Sequence, residues 1–294
     1  MRVSANGIGI EVDDQGLPGG EPLMLIMGLG MQLTGWPDEL VQMLVSRGLR
    51  VLRHDNRDIG LSQYFDHLGM PNMAWAGIRY AMHLPVRSPY GIADMAQDTL
   101  GVMDALGVQR AHICGASMGG MIAQHLAAKH PQRVKSLTLM MTTTGARHLP
   151  QPGLRVRRAL LSRPQGTSEQ AVAAHLQKVL SVIGSPAYPA DPVRLNERLL
   201  ATVRRAWHPV GTARQIVAVV ADGDRSSLVQ RITAPTQVIH GNADPLIPVA
   251  AGHDLVARIP GAVGDFVPGM GHDLPVQLLG RFADGVMQSV QRAT

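Results

Sequence analysis

Apolar positions along this chain fall into two alternating kinds. Short apolar runs read as strands, with "PLMLIM" (22–27) a candidate buried one, followed by "RVLRHD" (50–55), "AHICGA" (111–116), "VKSLTLMM" (134–141), "TQVIH" (236–240) and "AVGDFV" (262–267). Between them lie segments with helical spacing: 38–46, "IADMAQDTLGVMDALG" stopped by Gly107, "MGGMIAQHLAAKH" ended by Pro131, 247–258, and a last one from about 275. The opening "VSANGIGIEVDDQG" reads as a hairpin, with Asn6-Gly7 and Asp14 to Gly16 as turn signals. Strands alternating with helices predict an α/β fold class, a mostly parallel central sheet flanked by helices on both faces.

Residues 147–223 break the alternation. They hold no convincing strand and read as about four amphipathic helices, interrupted at Pro164, Pro186, Pro189, Pro192 and Pro209. The expected organisation is therefore a core of 1–146 and 224–294 with an inserted helical cap at 147–223. A second irregular stretch, Tyr64 to Tyr90, carries five of the ten aromatics and reads as a long connection forming a wall of a pocket mouth.

Composition narrows the class. With 45% hydrophobic and 17% charged residues the chain is globular in type, and no apolar run approaches the ~18 residues of a membrane span. The start lacks an apolar h-region, so a cytoplasmic location is expected. A single cysteine, Cys114, excludes an internal disulfide and any multi-cysteine zinc site, and no metal is expected. The formal charge of +5 is uneven: residues 147–223 carry eleven Arg or Lys against four Asp or Glu. These arginines are scattered through helical stretches, without a nucleic-acid module or interleaved aromatics, so a solvated face is expected and nucleic acid is not.

The chemistry concentrates at "GASMG", residues 115–119, a G-x-S-x-G that such a composition yields by chance about 0.15 times. Here it directly follows an apolar strand and precedes a helix, the setting a nucleophile elbow requires. Ser117 would stand at the strand end, with the positive end of the next helix beside it. A serine hydroxyl needs a base, itself oriented by a third group. Of twelve histidines, His272 in "PGMGHDLP" is best placed, in a glycine-rich loop after a strand. Asp244 in "IHGNADPLIP" follows a strand in the same way. Both loops leave strand C-termini, where open α/β sheets place their sites. Asp265, Asp273, His240 and His253 read as surface or packing residues.

"MGLGMQLTGWPDEL" (27–40) invites two readings. A dinucleotide cradle needs G-x-G-x-x-G opening into a helix, with an acid about 20 residues on. Gly28, Gly30 and Asp55 fit, but Leu33 stands at the third glycine position and the helix starts no earlier than Trp36-Pro37-Asp38. The cradle fails, and an oxyanion turn contributing one backbone N–H is the better reading.

Together "MGLGMQLTGWPDEL", "HDNRDIGLS", "ADMAQDTLGVMDALGV", "GASMGGMIAQHLAAKHPQRV" and "HGNADPLIP" resemble the α/β-hydrolase superfamily along essentially the whole chain. Within it they are most similar to the aclacinomycin methylesterase-like carboxylesterases. Two departures from the wider superfamily match that subgroup: Met27-Gly28 in place of His-Gly, and Asp58 where many hydrolases have glycine. The resemblance implies Leu29 and Met118 N–H as oxyanion donors and two-step acyl transfer on a small-molecule ester, with methyl or short-chain esters as candidates and no cofactor. Met31 and Met270, flexible and polarizable, are the expected walls of the acyl pocket. Other triad hydrolases (carbon–carbon bond hydrolase, perhydrolase, amide hydrolase) remain alternatives, as does a non-catalytic receptor on the same fold. Haloalkane dehalogenases and epoxide hydrolases are disfavoured, because they carry aspartate where Ser117 stands. A homodimer is compatible with the sequence.

Overall fold

The computed structural model describes residues 1–293. Among these, one sheet comprises β1 (Arg2–Ala5), β2 (Ile8–Gln15), β3 (Glu21–Ile26), β4 (Leu49–His54), β5 (Ala111–Ala116), β6 (Val134–Met140), β7 (Thr236–Gly241) and β8 (Val263–Val267). The spatial order is β1-β2-β4-β3-β5-β6-β7-β8. β2 pairs antiparallel with β1 and β4, and every pairing from β4 to β8 is parallel. The β1–β2 turn is the expected one, with Asn6 and Gly7 both at positive φ (51° and 77°), the geometry that matches strand twist.

The helices are α1 (Asp38–Ser46), α2 (Met73–Ala81), α3 (Ile92–Ala105), α4 (Met118–Lys129), α5 (Leu154–Leu161), α6 (Glu169–Ile183), α7 (Pro192–Arg205), α8 (Pro209–Asp222), α9 (Ser226–Val229), α10 (Ala250–Arg258) and α11 (Leu279–Gln291). β3 shows why the central strands read as unbroken apolar runs. Its Leu23 and Leu25 pack with Leu40 and Leu44 of α1 and Phe282 of α11. Met24 and Ile26 point the other way, into a cluster with Ile92 and Met95 of α3 and Ile122 and Leu126 of α4. Both faces are buried, so both alternating sets must be apolar. At roughly 25 cal/mol per Å² of apolar surface removed from water, these two layers dominate the stability of the core.

α5 to α8 lie consecutively between β6 and β7, without an intervening strand among the described residues. Pro192 and Pro209 open α7 and α8 at their first positions, where a missing N–H costs nothing, and Asp191 caps α7 by accepting from Val193 and Arg194 amides. Helices expected near 247 and 275 begin later, at Ala250 and at Leu279, the second after a 3₁₀ turn at Val276–Leu278. The stretch from Tyr64 to Tyr90 departs from the expected connection, because it contains α2, whose start is capped by Asn72 Oδ1 accepting from Trp75 N–H at 2.9 Å. Its aromatics do not form one wall. Tyr64 stacks on His208 and Phe65 packs on Tyr90, while Trp75 and Tyr80 are exposed.

Candidate active site

β5 ends in a sharp turn at Ser117, whose φ of 54° and ψ of −120° lie where a residue with a side chain is strained. The turn is fastened by Ser117 N–H donating to Met140 O at 2.9 Å. A Cβ on Gly115 would collide with the Gly119 carbonyl, and one on Gly119 with the Ile26 carbonyl, so neither position tolerates another residue. The seat of the serine is thus built by backbone contact between β5, α4 and β3.

His272, in the loop after β8, spans the two other residues singled out by the sequence. Its Nε2 lies 3.0 Å from Ser117 Oγ, and its Nδ1 lies 2.7 Å from Asp244 Oδ2. With the carboxylate accepting from Nδ1–H, Nε2 is the free acceptor facing the serine hydroxyl. Asp244 is fixed in turn: its Oδ1 accepts from Leu246 and Ile247 N–H, each at 2.8 Å. All three groups sit at the C-terminal ends of parallel strands β5, β7 and β8.

The residues read as packing groups resolve individually. His253 stacks on Phe266 and Asp265 pairs with Arg281. His240 is fully buried, its Nε2–H donates to Ile247 O at 2.8 Å, and burial holds its pKa down. It lies 3.6 Å from Asp244 Oδ2, closer to the site than its sequence position suggested. Asp273 accepts from the Ser185 hydroxyl, and burial raises its pKa. The Cys114 thiol is fully buried and is pushed well above the ordinary thiol range by loss of solvation, so it stays protonated.

The turn after β3 stands beside the serine: a Cβ on Gly28 would lie 3.1 Å from Ser117 Cβ. Met118 opens α4, and among the described residues neither its amide nor that of Leu29 is taken by a protein acceptor. The neighbouring amides are taken. Gly30 N–H donates to Gln215 Oε1 of α8 at 2.9 Å, and Leu33 N–H to Asp55 Oδ1 at 2.7 Å. Asp55 Oδ2 accepts from Leu61 N–H and from Arg205 Nη1 of α7. Burial pushes the Asp55 pKa up against these three donors, and its lone pairs are spent inside the protein rather than on a ribose. Gln32 closes the seam, donating to the carbonyls of Thr202 and Ala206 while accepting from Arg205. Local sequence carried no signal for Gln215, Gln32 or Arg205.

Met31 is half-buried against the cluster that includes Met27, Trp36 and Leu278. Met270, the other expected pocket wall, is fully buried in the same core cluster. It lies between Gly269 and Gly271, and its carbonyl accepts from Ala243 N–H. Among the described residues no group of three His, Cys, Asp or Glu side chains is arranged to hold a metal ion. No described helix is long and apolar enough to cross a membrane.

A serine at the tip of a strand–helix turn, hydrogen-bonded to a histidine that is hydrogen-bonded to a carboxylate, on a mostly parallel covered sheet, defines the class of α/β proteins with acyl-transfer geometry. The chain belongs to the alpha/beta hydrolase fold family, whose model matches residues 21–275. It is 30% identical over 300 residues to rhodomycin D methylesterase DauP of Streptomyces sp. (strain C5), covering 95% of this chain and 94% of that one. It is also 30% identical over 260 residues to the 2-hydroxy-6-oxononadienedioate/2-hydroxy-6-oxononatrienedioate hydrolase of Cupriavidus pinatubonensis (strain JMP 134 / LMG 1197), covering 86% of this chain and 80% of that one. Among solved structures it is similar to the enol-lactonase from Burkholderia xenovorans LB400, with a TM-score of 0.74, 25% identity and coverage of 99% of this chain and 100% of that chain.

Proposed function

We propose that this chain is a serine carboxylesterase that cleaves small-molecule esters, methyl esters among them, by two-step acyl transfer. The observation that carries the reading is His272 spanning Ser117 at 3.0 Å and Asp244 at 2.7 Å. The similarity to a methylesterase over nearly the whole chain supports the choice of alcohol.

In the first step His272 Nε2 takes the Ser117 proton as Oγ attacks the ester carbonyl carbon. Asp244 holds the Nδ1–H tautomer and stabilises the imidazolium that forms. The amides of Leu29 and Met118 receive the oxyanion, each such donor worth about 3–4 kcal/mol in the transition state. The C–O bond then breaks and His272 returns its proton to the departing alkoxide. Water, deprotonated by the same Nε2, releases the acid in the second step. α5 to α8, as a helical cap on the core of 1–146 and 224–294, would bound the acyl side of the pocket and select substrate.

A panel of p-nitrophenyl esters from acetate to palmitate, with methyl esters of bulky aromatic acids, tests the reading. Hydrolysis of methyl esters, with the acyl group trapped on Ser117 after acid quench, is the expected outcome. Failure on every ester would overturn it. A carbon–carbon bond hydrolase is the second reading, favoured by the similarity to the oxononadienedioate hydrolase. Loss of the dienoate absorbance, with no ester turnover, would establish that alternative.

A further inference from the structure

We propose that Ser185 and Asp273 are positioning residues for His272, clamping the base-bearing loop to the end of α6 and so setting the reach of its imidazole to Ser117. The inference rests on the acyl-transfer reading above and extends it to two residues outside the Ser–His–Asp set.

The clamp is a short antiparallel meeting of the end of α6 and the residues after it, 183–187, with the segment 269–273 after β8. His272 N–H donates to Ile183 O at 2.7 Å, and Ala187 N–H donates to Gly269 O at 3.2 Å. Ser185, only 6% exposed, joins both strands of the contact through one hydroxyl. Its Oγ accepts from Gly271 N–H at 2.8 Å and donates to Asp273 Oδ1. The residues before and after His272 are therefore held by the same atom. A Cβ on Gly271 would collide with the Gly184 carbonyl, so the two backbones touch with nothing between them. His272 itself has side-chain partners on the serine and aspartate sides alone, so its main chain depends on this contact for its height above the sheet.

Base-to-nucleophile geometry is unforgiving: a misplacement of about 1 Å costs up to about 100-fold in rate. Removing the Ser185 hydroxyl frees the Gly271 amide and the Asp273 carboxylate together. The loop is then held by the two main-chain bonds alone, His272 N–H to Ile183 O and Ala187 N–H to Gly269 O, while Ser117, Asp244 and the oxyanion turn keep their own supports.

The test compares Ser185→Ala, Asp273→Ala and the double variant with the wild type. Active-site concentration is fixed by total fluorophosphonate labelling, so that misfolded protein does not count. The expected result is kcat lowered about 10- to 100-fold with KM little changed. The rate constant for fluorophosphonate labelling should fall in parallel, amide exchange should be faster across 269–273, and the double variant should be no worse than the worse single. A rise in KM alone would assign Ser185 to substrate contact and overturn the proposal. So would wild-type kcat and unchanged exchange in Ser185→Ala, or fully additive losses in the double variant. If the wild type hydrolyses no ester, the functional reading fails separately, because labelling rates and amide exchange still report on the clamp.

Discussion

Arg214 and Asp58 form a two-pronged ion pair, Nε to Oδ2 at 2.7 Å and Nη2 to Oδ1 at 2.8 Å, with both side chains fully buried. The pair fastens α8 to the loop after β4. Asp58 sits at φ 69°, a left-handed conformation that favours glycine, which explains why many hydrolases carry glycine there. Burial works against its charge, but Arg214, the Phe65 amide and the Tyr90 hydroxyl together hold its pKa below the usual carboxylate range. Arg214→Met should lower stability by about 3–5 kcal/mol in urea unfolding, because it strands a buried charge. Adding Asp58→Gly should recover part of that loss, by removing the stranded carboxylate and relaxing the backbone. A wild-type urea midpoint for Arg214→Met would show that the pair contributes nothing.

Ser117→Ala should abolish ester turnover and leave the fold intact. Ser117→Gly should do the same and raise stability by about 1 kcal/mol, since glycine removes the strain at the elbow. Mass spectrometry after fluorophosphonate treatment should find the label on Ser117 alone. Label on Cys114, buried and protonated, would contradict the assignment.

His272→Ala should lower kcat by roughly 10⁴-fold or more, as removal of a general base in such a relay does. His253→Ala, which removes a surface stack on Phe266, should leave turnover near that of the wild type. His240→Ala should retain the reaction but lose stability, because its ring holds the carbonyl of Ile247, whose amide binds Asp244. Equal loss in all three variants would leave the base unassigned.

His54 is buried, its Nδ1 lacks a partner among the described residues, and burial lowers its pKa from 6.5 to about 4. The unfolded chain therefore takes up this proton before the folded one. The resulting stability is full above about pH 6.5 and declines as pH falls toward 4, amounting at most to about 3 kcal/mol. Urea unfolding between pH 7 and pH 4 should show a smaller acid loss for His54→Gln than for the wild type. Parallel curves would remove His54 from the acid response.

Arg157 and Arg158 are exposed on α5, and neither forms an ion pair among the described residues. Replacing both with alanine should leave turnover of a small acetate ester unchanged and stability within about 0.5 kcal/mol. KM for anionic esters should not respond to salt. A salt-dependent KM that vanishes in the variant would make them a substrate-steering patch instead.

The parts legible in the sequence were those with a local signature. Ser117, Asp244 and His272 each follow an apolar run that forms a parallel strand, so the topology carries all three to the C-terminal ends of the strands. The one local signature of α2 is Asn72, a cap residue ahead of its first turn, and it lies in a stretch whose aromatics carry no helical spacing. The burial of Met270 has no local signature, because a residue between two glycines carries no periodicity that says which way its side chain packs. Ser185 with Asp273, and Gln215 with Gly30, are 88 and 185 residues apart. Pairings of that range leave no periodicity to find, and only the folded chain brings them together.

The seams that bind α6, α7 and α8 to the two loops at the serine bear on how substrate preference changes between relatives. A helical segment borrowed from another hydrolase would arrive without Ser185 for the base loop, Gln215 for Gly30, or Arg205 for Gln32 and Asp55. Such a chimera would lose rate before it acquired a new preference. Wholesale exchange of these helices is therefore a poor route to new substrates here, and diversification is channelled into side chains that lie off the seams.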